Sequence, residues 1–87
     1  MNQKMTAPRR AFLDAAIANE GRIIRLLHGP GWVAGSVRVQ ESMGEILCVL
    51  GWIAAVKKHG GRSTVLAEKG YLYTVTDAAR VALGEAA

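Results

Sequence analysis

The stretch Arg22-Ile23-Ile24-Arg25-Leu26-Leu27-His28 decides the fold. Read as helix, it extends the preceding segment to residue 28. Read as strand, it starts after Gly21 and runs into the turn Gly29-Pro30-Gly31. The isoleucine pair and the short length favour strand, because β-branched side chains pack well on a pleated surface. Trp32-Val33 is then expected to return beside it as a short partner.

Upstream, Arg9 to Glu20 are good helix formers. Pro8 suits the first turn, where its missing N–H costs nothing. Phe12, Leu13, Ala16 and Ile17 share one face, with Arg9, Arg10, Asp14 and Asn19 on the other. Gly21 sits where a glycine closes a helix. Residues 1–7 are expected to form a flexible tail and residues 8–87 a single domain.

Downstream, Ala34 to Gln40 reads as irregular or a single turn. Glu41 to Leu50 is helical, with Ser42 as N-cap and Glu45 at capping-box spacing. Met43, Ile46, Leu47 and Leu50 follow the spacing of a core-facing stripe, and Gly51 ends the helix. Residues 52–56, 63–67 and 71–75 are expected to form a small antiparallel sheet. Lys57-Lys58-His59-Gly60-Gly61-Arg62 forms a basic loop within it, and Glu68-Lys69-Gly70 a tight turn. Thr76 caps a closing helix that buries Ala79, Val81 or Ala82, and Leu83, and ends at Gly84. The fold class is α+β, about three helices with a small antiparallel sheet.

Residues 41–84 carry a resemblance. A helix ends in Leu50-Gly51-Trp52-Ile53, a strand and hairpin follow, and the chain closes with Tyr73-Thr-Val-Thr-Asp-Ala-Ala-Arg-Val-Ala-Leu83. This resembles the recognition helix, wing and closing helix of winged helix-turn-helix regulators. Ala79 stands where that family usually has glycine. The span Gly21 to Gln40 offers no second helix of the motif, and a β-hairpin is the candidate replacement. The resemblance implies a winged-helix-like domain with Glu41–Leu50 as the groove-reading helix.

The chain has 87 residues and 9.3 kDa, enough for one core. It is 51% apolar and 21% charged, a globular balance. Eleven basic against seven acidic residues give net +4 and a pI near 9.7, which favours an acidic partner such as nucleic acid. With Cys48 alone, no internal disulfide can form. No secretory signal is read. The uncharged run Ile46 to Val56 falls well short of the roughly 20 residues that span a bilayer. A cytoplasmic protein without membrane contact is expected.

Duplex DNA is the expected partner. Arg38, Gln40 and Ser42 lead into the candidate reading helix, where donors to base edges belong. Glu41 and Glu45 on that helix are unfavourable near phosphates. Lys57, Lys58, His59 and Arg62 around Gly60-Gly61 form a phosphate-seeking tip, or a charged turn that protects a sheet edge. Arg9, Arg10, Arg22 and Arg25 form a second basic group. Trp32, Trp52, Tyr71 and Tyr73 serve as stacking groups if exposed and as core if buried.

Enzyme chemistry is not expected. Cys48 lies among apolar neighbours and reads as an inert buried thiol. His28 and His59 lack partners at metal spacing, and no phosphate-binding loop or other cofactor motif occurs. The leading reading is a small DNA-associated regulator, phage or mobile-element encoded, and a homodimer is compatible with it. The alternative is a protein-binding module, a compact inhibitor or adaptor on a winged-helix-like scaffold that does not read DNA.

Overall fold

The computed structural model describes residues 5–58, 63–66 and 69–86. Among them the order is α1 (Ala7–Ala18), β1 (Arg22–Leu26), β2 (Trp32–Ala34), β3 (Val37–Val39), α2 (Glu41–Val49), β4 (Ile53–Ala55), β5 (Lys57–Lys58), β6 (Ser63–Thr64), β7 (Gly70–Val75) and α3 (Asp77–Ala86). This is an α+β domain. Its five-stranded antiparallel sheet has the order β3-β2-β1-β7-β4, and β5 and β6 pair separately.

Local chemistry accounts for the ends of α1. The Thr6 hydroxyl accepts the Arg9 N–H at 3.4 Å, and Pro8 occupies the first turn. Glu20 and Gly21 then take φ of 62° and 76°, turning the chain into β1. Of the expected tail, residues 5–7 belong to the fold. Thr6 is the cap and Met5 packs on the core, while Met1 to Lys4 lie outside the described residues.

The deciding stretch is a strand. Arg25 pairs with Trp32 on one side and Tyr71 on the other, so β1 sits at the centre of the sheet. The irregular reading of Ala34 to Gln40 is corrected. Gly35, with φ of 61°, closes a two-residue turn, and Val37, Arg38 and Val39 pair with Ala34, Val33 and Trp32. The alternation of Val37 and Val39 with Arg38 was a strand signal of period two. The second helix of a helix-turn-helix is absent from residues 22–40, and the β2–β3 hairpin occupies its place.

Of the expected sheet, β4 does pair antiparallel with β7, whereas residues 63–66 are displaced from it. Ser63–Thr64 pairs with Lys57–Lys58, and Leu66 makes an isolated bridge to Tyr71. The Val65 N–H donates to the Val56 carbonyl at 2.8 Å, and the Leu72 N–H to the Val65 carbonyl at 2.9 Å. The long neighbours of β7 are β1 and β4. Central β1 brings the fully buried Ile23, whereas Leu66 is exposed.

Register divides the sheet into two faces, because paired residues in an antiparallel ladder point the same way. Ile23, Arg25, Trp32, Ala34, Val37, Val39, Ile53, Ala55, Tyr71, Tyr73 and Val75 share the core face. Phe12, Leu13 and Ala16 of α1, Leu47 of α2, and Ala79 and Leu83 of α3 complete the core. Trp32 and Trp52 are both buried. Tyr73 packs edge-to-face on Trp32, with centroids 4.7 Å apart.

Helix α2 is rotated from its expected stripe. Gly44 and Leu47 are its buried residues, while Ile46 is 41% exposed. A Cβ at Gly44 would fall inside the Trp32 indole, so the helix backbone lies directly on the ring. Ser42 is not the cap. The strand conformation persists through Gln40, which is the N-cap without a side-chain bond, and Ser42 falls inside the first turn. In α3, Val81 is exposed at 61%, and the helix continues through Gly84 to Ala86. Glycine is tolerated there because nothing after it breaks the helix.

The Thr76 cap is present. Its hydroxyl accepts the Ala79 N–H at 3.2 Å and donates to the Gly51 carbonyl at 2.6 Å, tying the end of α2 to the start of α3. Thr76→Ala is expected to cost about 1 kcal/mol or more, whereas Ser42→Ala stays within about 0.5 kcal/mol; urea unfolding compares them. Gly44→Ala provides a sharper measurement. Helix propensity alone predicts a gain of about 1 kcal/mol. We expect a net loss of about 2 kcal/mol from overpacking against Trp32, and a gain in the urea midpoint would refute the close contact.

Candidate nucleic-acid interface

Three of the sequence-predicted residues flank the corner where β3 enters α2. Arg38 is the central residue of β3, Gln40 is the N-cap of α2, and Ser42 lies exposed in its first turn. A cleft of about 350 Å³ opens here, lined by Pro30, Arg38, Val39, Gln40 and Glu41. Arg38 Nη2 donates to the Pro30 carbonyl at 2.8 Å, which holds the guanidinium over the Gly29–Gly31 turn. The Met43 N–H bonds back to the Gln40 carbonyl at 3.1 Å. The N–H groups ahead of it have no acceptor within the helix, and a helix N-terminus attracts anions.

The two glutamates are held on the flank of α2. Arg25 Nη2 lies 3.2 Å from Glu41 Oε1 and 3.9 Å from Glu45 Oε2. Its guanidinium sits 5.0 Å from the Trp32 ring centroid, a cation–π arrangement. The Trp32 indole N–H donates to the Glu41 carbonyl at 3.1 Å. Hydrogen bonds to Tyr73 and then Glu41 raise the Arg25 guanidinium further above its ordinary range, against the opposing effect of burial. Arg25 thus offsets one of the two negative charges that the sequence marked as unfavourable near phosphate. Sequence reasoning placed Arg25 in a basic group and missed this role. Its pairing with Trp32 across β1 and β2 was the available signal.

The outward side of α2 carries Ser42, Ile46 and Val49, and Val49 is 85% exposed. The helix contains no lysine, arginine, asparagine or glutamine. Donors for base edges are therefore confined to its leading residues.

Lys57 and Lys58 form β5, the first strand of the short hairpin, and Lys57 is exposed. His59 and Arg62 lie outside the described residues. The hairpin follows β4, at the sheet edge opposite β3. Four strand spacings separate those edges, about 19 Å, and α2 connects one to the other. The second basic group is not one patch. Arg10 bonds the Leu83 carbonyl at 3.2 Å and approaches Asp14 at 3.8 Å, while Arg22 and Arg25 occupy opposite sheet faces.

No family model matches the chain, and neither a curated protein nor a solved structure matches it. No helix among the described residues is long and apolar enough to cross a membrane. None of the described His, Cys, Asp and Glu side chains forms a group of three that could hold a metal ion.

Cys48 lies half-buried on the flank of α2 that faces Arg25. Burial pushes its thiol up, the Arg25 charge lowers it, and Glu45 raises it. A raised thiol yields less thiolate at a given pH. Alkylation of the native protein by iodoacetamide is therefore expected to rise at higher pH than alkylation of an unfolded control. Superimposable rate–pH curves would remove the desolvation.

Proposed function

We propose that this chain is a small DNA-associated regulatory protein of winged-helix type that grips duplex mainly through phosphates. The observation that supports it is that Arg38 and Gln40 line one cleft beside the first turn of α2, which carries Ser42, in a chain of net charge +4. One strand's phosphate occupies the corner, where the helix N-terminus and the Arg38 guanidinium both favour negative charge. Gln40 is the side chain placed to read a base, since an amide matches the paired donor and acceptor of adenine. Lys57 and Lys58, with His59 and Arg62 close to them in sequence, meet a second set of phosphates. A cytoplasmic location and action as a homodimer belong to the same reading.

The second reading, a protein-binding module, is favoured by one observation: the outward side of α2 presents Ile46 and Val49 with no cation. In that reading α2 packs against an apolar partner, and the basic hairpin contributes to the rate of encounter.

Anisotropy of a labelled duplex, measured across salt concentrations, separates the two. The first reading expects log–log dependence on salt. Replacing Lys57, Lys58 and Arg62 by alanine should flatten that slope by about three units and weaken binding to all sequences alike. Gln40→Ala should alter the preference among sequences. Absence of salt-dependent affinity for any duplex at low ionic strength ends the DNA reading. Adhesion lost by about 0.15 M salt, with no preference among sequences, also counts against it, because a cationic domain adheres to any polyanion when salt is scarce.

A further inference from the structure

The second face of the sheet has no helix on it. Register places Arg38, Val33, Ile24 and Leu72 in one row across β3, β2, β1 and β7. The Val56 N–H donates to the Leu72 carbonyl at 3.0 Å, which extends the row beyond β7. Leu26 lies beside it opposite Gly70, and Arg22 and Thr74 form the next row. Ile24, Leu26, Val33 and Leu72 are half-buried and do not belong to the core cluster. The sheet thus keeps a second aliphatic surface that the helices leave open.

At the described strand positions of this face the charged residues are Arg22 and Arg38, both cations. Arg22 and Arg38 project from the same face and are exposed. Arg80 Nη2 and Thr74 Oγ1 each lie 3.5 Å from the point where a Cβ on Gly21 would stand, so the Arg80 guanidinium reaches the rim beside Thr74. Among the described residues, no strand position on this face is a carboxylate. The face carries no described aromatic ring either, since Trp32, Tyr71 and Tyr73 all point to the core side.

We propose that this open face docks an acidic amphipathic helix from another protein. An aliphatic row needs apolar side chains to cover it, which a duplex backbone does not supply. Without an aromatic platform it does not stack single-stranded bases. A second copy of the chain would set arginine against arginine over the row. A helix with leucines on one side and glutamates flanking them matches both the row and its rim. The row is about 19 Å long across the five strands, the length of about thirteen helical residues. This surface lies apart from the outward side of α2 and from the hairpin, so it adds a protein partner to the DNA reading and does not rest on it.

The probe is a synthetic helix of about four turns, with leucine at i, i+3, i+4 and i+7 and glutamate elsewhere. Methyl NMR of the full chain reads its binding. Saturable shifts confined to Ile24, Leu26, Val33 and Leu72 are expected, with Ile46 and Val49 unmoved. The double variant Arg22→Glu, Arg80→Glu should weaken the peptide at least tenfold and keep the urea midpoint near that of the parent chain. Val33→Glu, a carboxylate within the row, should abolish binding. The proposal is overturned by shifts on α2 instead, by equal binding of polyglutamate or of a scrambled peptide, or by no shift at millimolar peptide. Equal affinity of the double variant also overturns it. So does tighter engagement of the same methyls by phosphatidylserine vesicles that the peptide cannot displace.

Discussion

Helix α2 rests its backbone on the indole of Trp32, and it can do so only because residue 44 has no side chain. That single contact sets the height and rotation of the helix above the sheet. The Glu41 carbonyl comes within 3.1 Å of the indole N–H, so the first turn of α2 is anchored to β2. Arg25 is then flanked by the ring, Tyr73 and the two glutamates. At the far end, the Gly51 carbonyl receives the Thr76 hydroxyl. The helix is thereby fixed at both ends, by an indole and by a cap belonging to the next helix.

The strand order distributes the remaining chemistry. β3 and β4 are the two edges, and α2 runs between them on the core side. The corner with Arg38, Gln40 and Ser42 therefore belongs to one edge, and the hairpin that begins at Lys57 to the other. Arg25, the cation nearest the middle of the helix, is engaged with Glu41 and Glu45. The cationic character of the molecule is thus expressed at its periphery, which suits contacts with a phosphate backbone more than reading of bases. The open sheet face adds its own cations, Arg22 and Arg38, around aliphatic side chains.

Much of the fold was legible locally. The isoleucine pair before Gly29-Pro30-Gly31 indicated β1, and Trp32-Val33 its returning partner. Pro8, Gly21, Gly51 and Thr76 marked helix ends to within a residue or two. Reading failed where a tertiary contact outweighed periodicity. The stripe Met43, Ile46, Leu47, Leu50 follows ideal spacing, yet Ile46 is exposed because Gly44 takes the contact with Trp32. Ser42 has the chemistry of a cap, yet the extended backbone of β3 continues to Gln40 and moves the helix start. Of the candidate site, Arg38, Gln40 and Ser42 were legible as neighbours in sequence. The cleft beside them was not, because Pro30 comes from a turn that only the β2–β3 hairpin brings alongside.

The sequence by itself determined the three helices and most of the strands, though not β3 or β5, together with the α+β class and the excess of positive charge. Those properties depend on side-chain propensity, turn residues and composition, all of which act over a few neighbouring positions. Only the tertiary structure decided that β1, and not residues 63–66, runs the length of β7, that Arg25 pairs with the glutamates of α2, and that one sheet face carries no helix. Each of these depends on which strands pair and in what register. Pairing is chosen by the burial of side chains far apart in the chain, and one step of register moves every side chain to the other face.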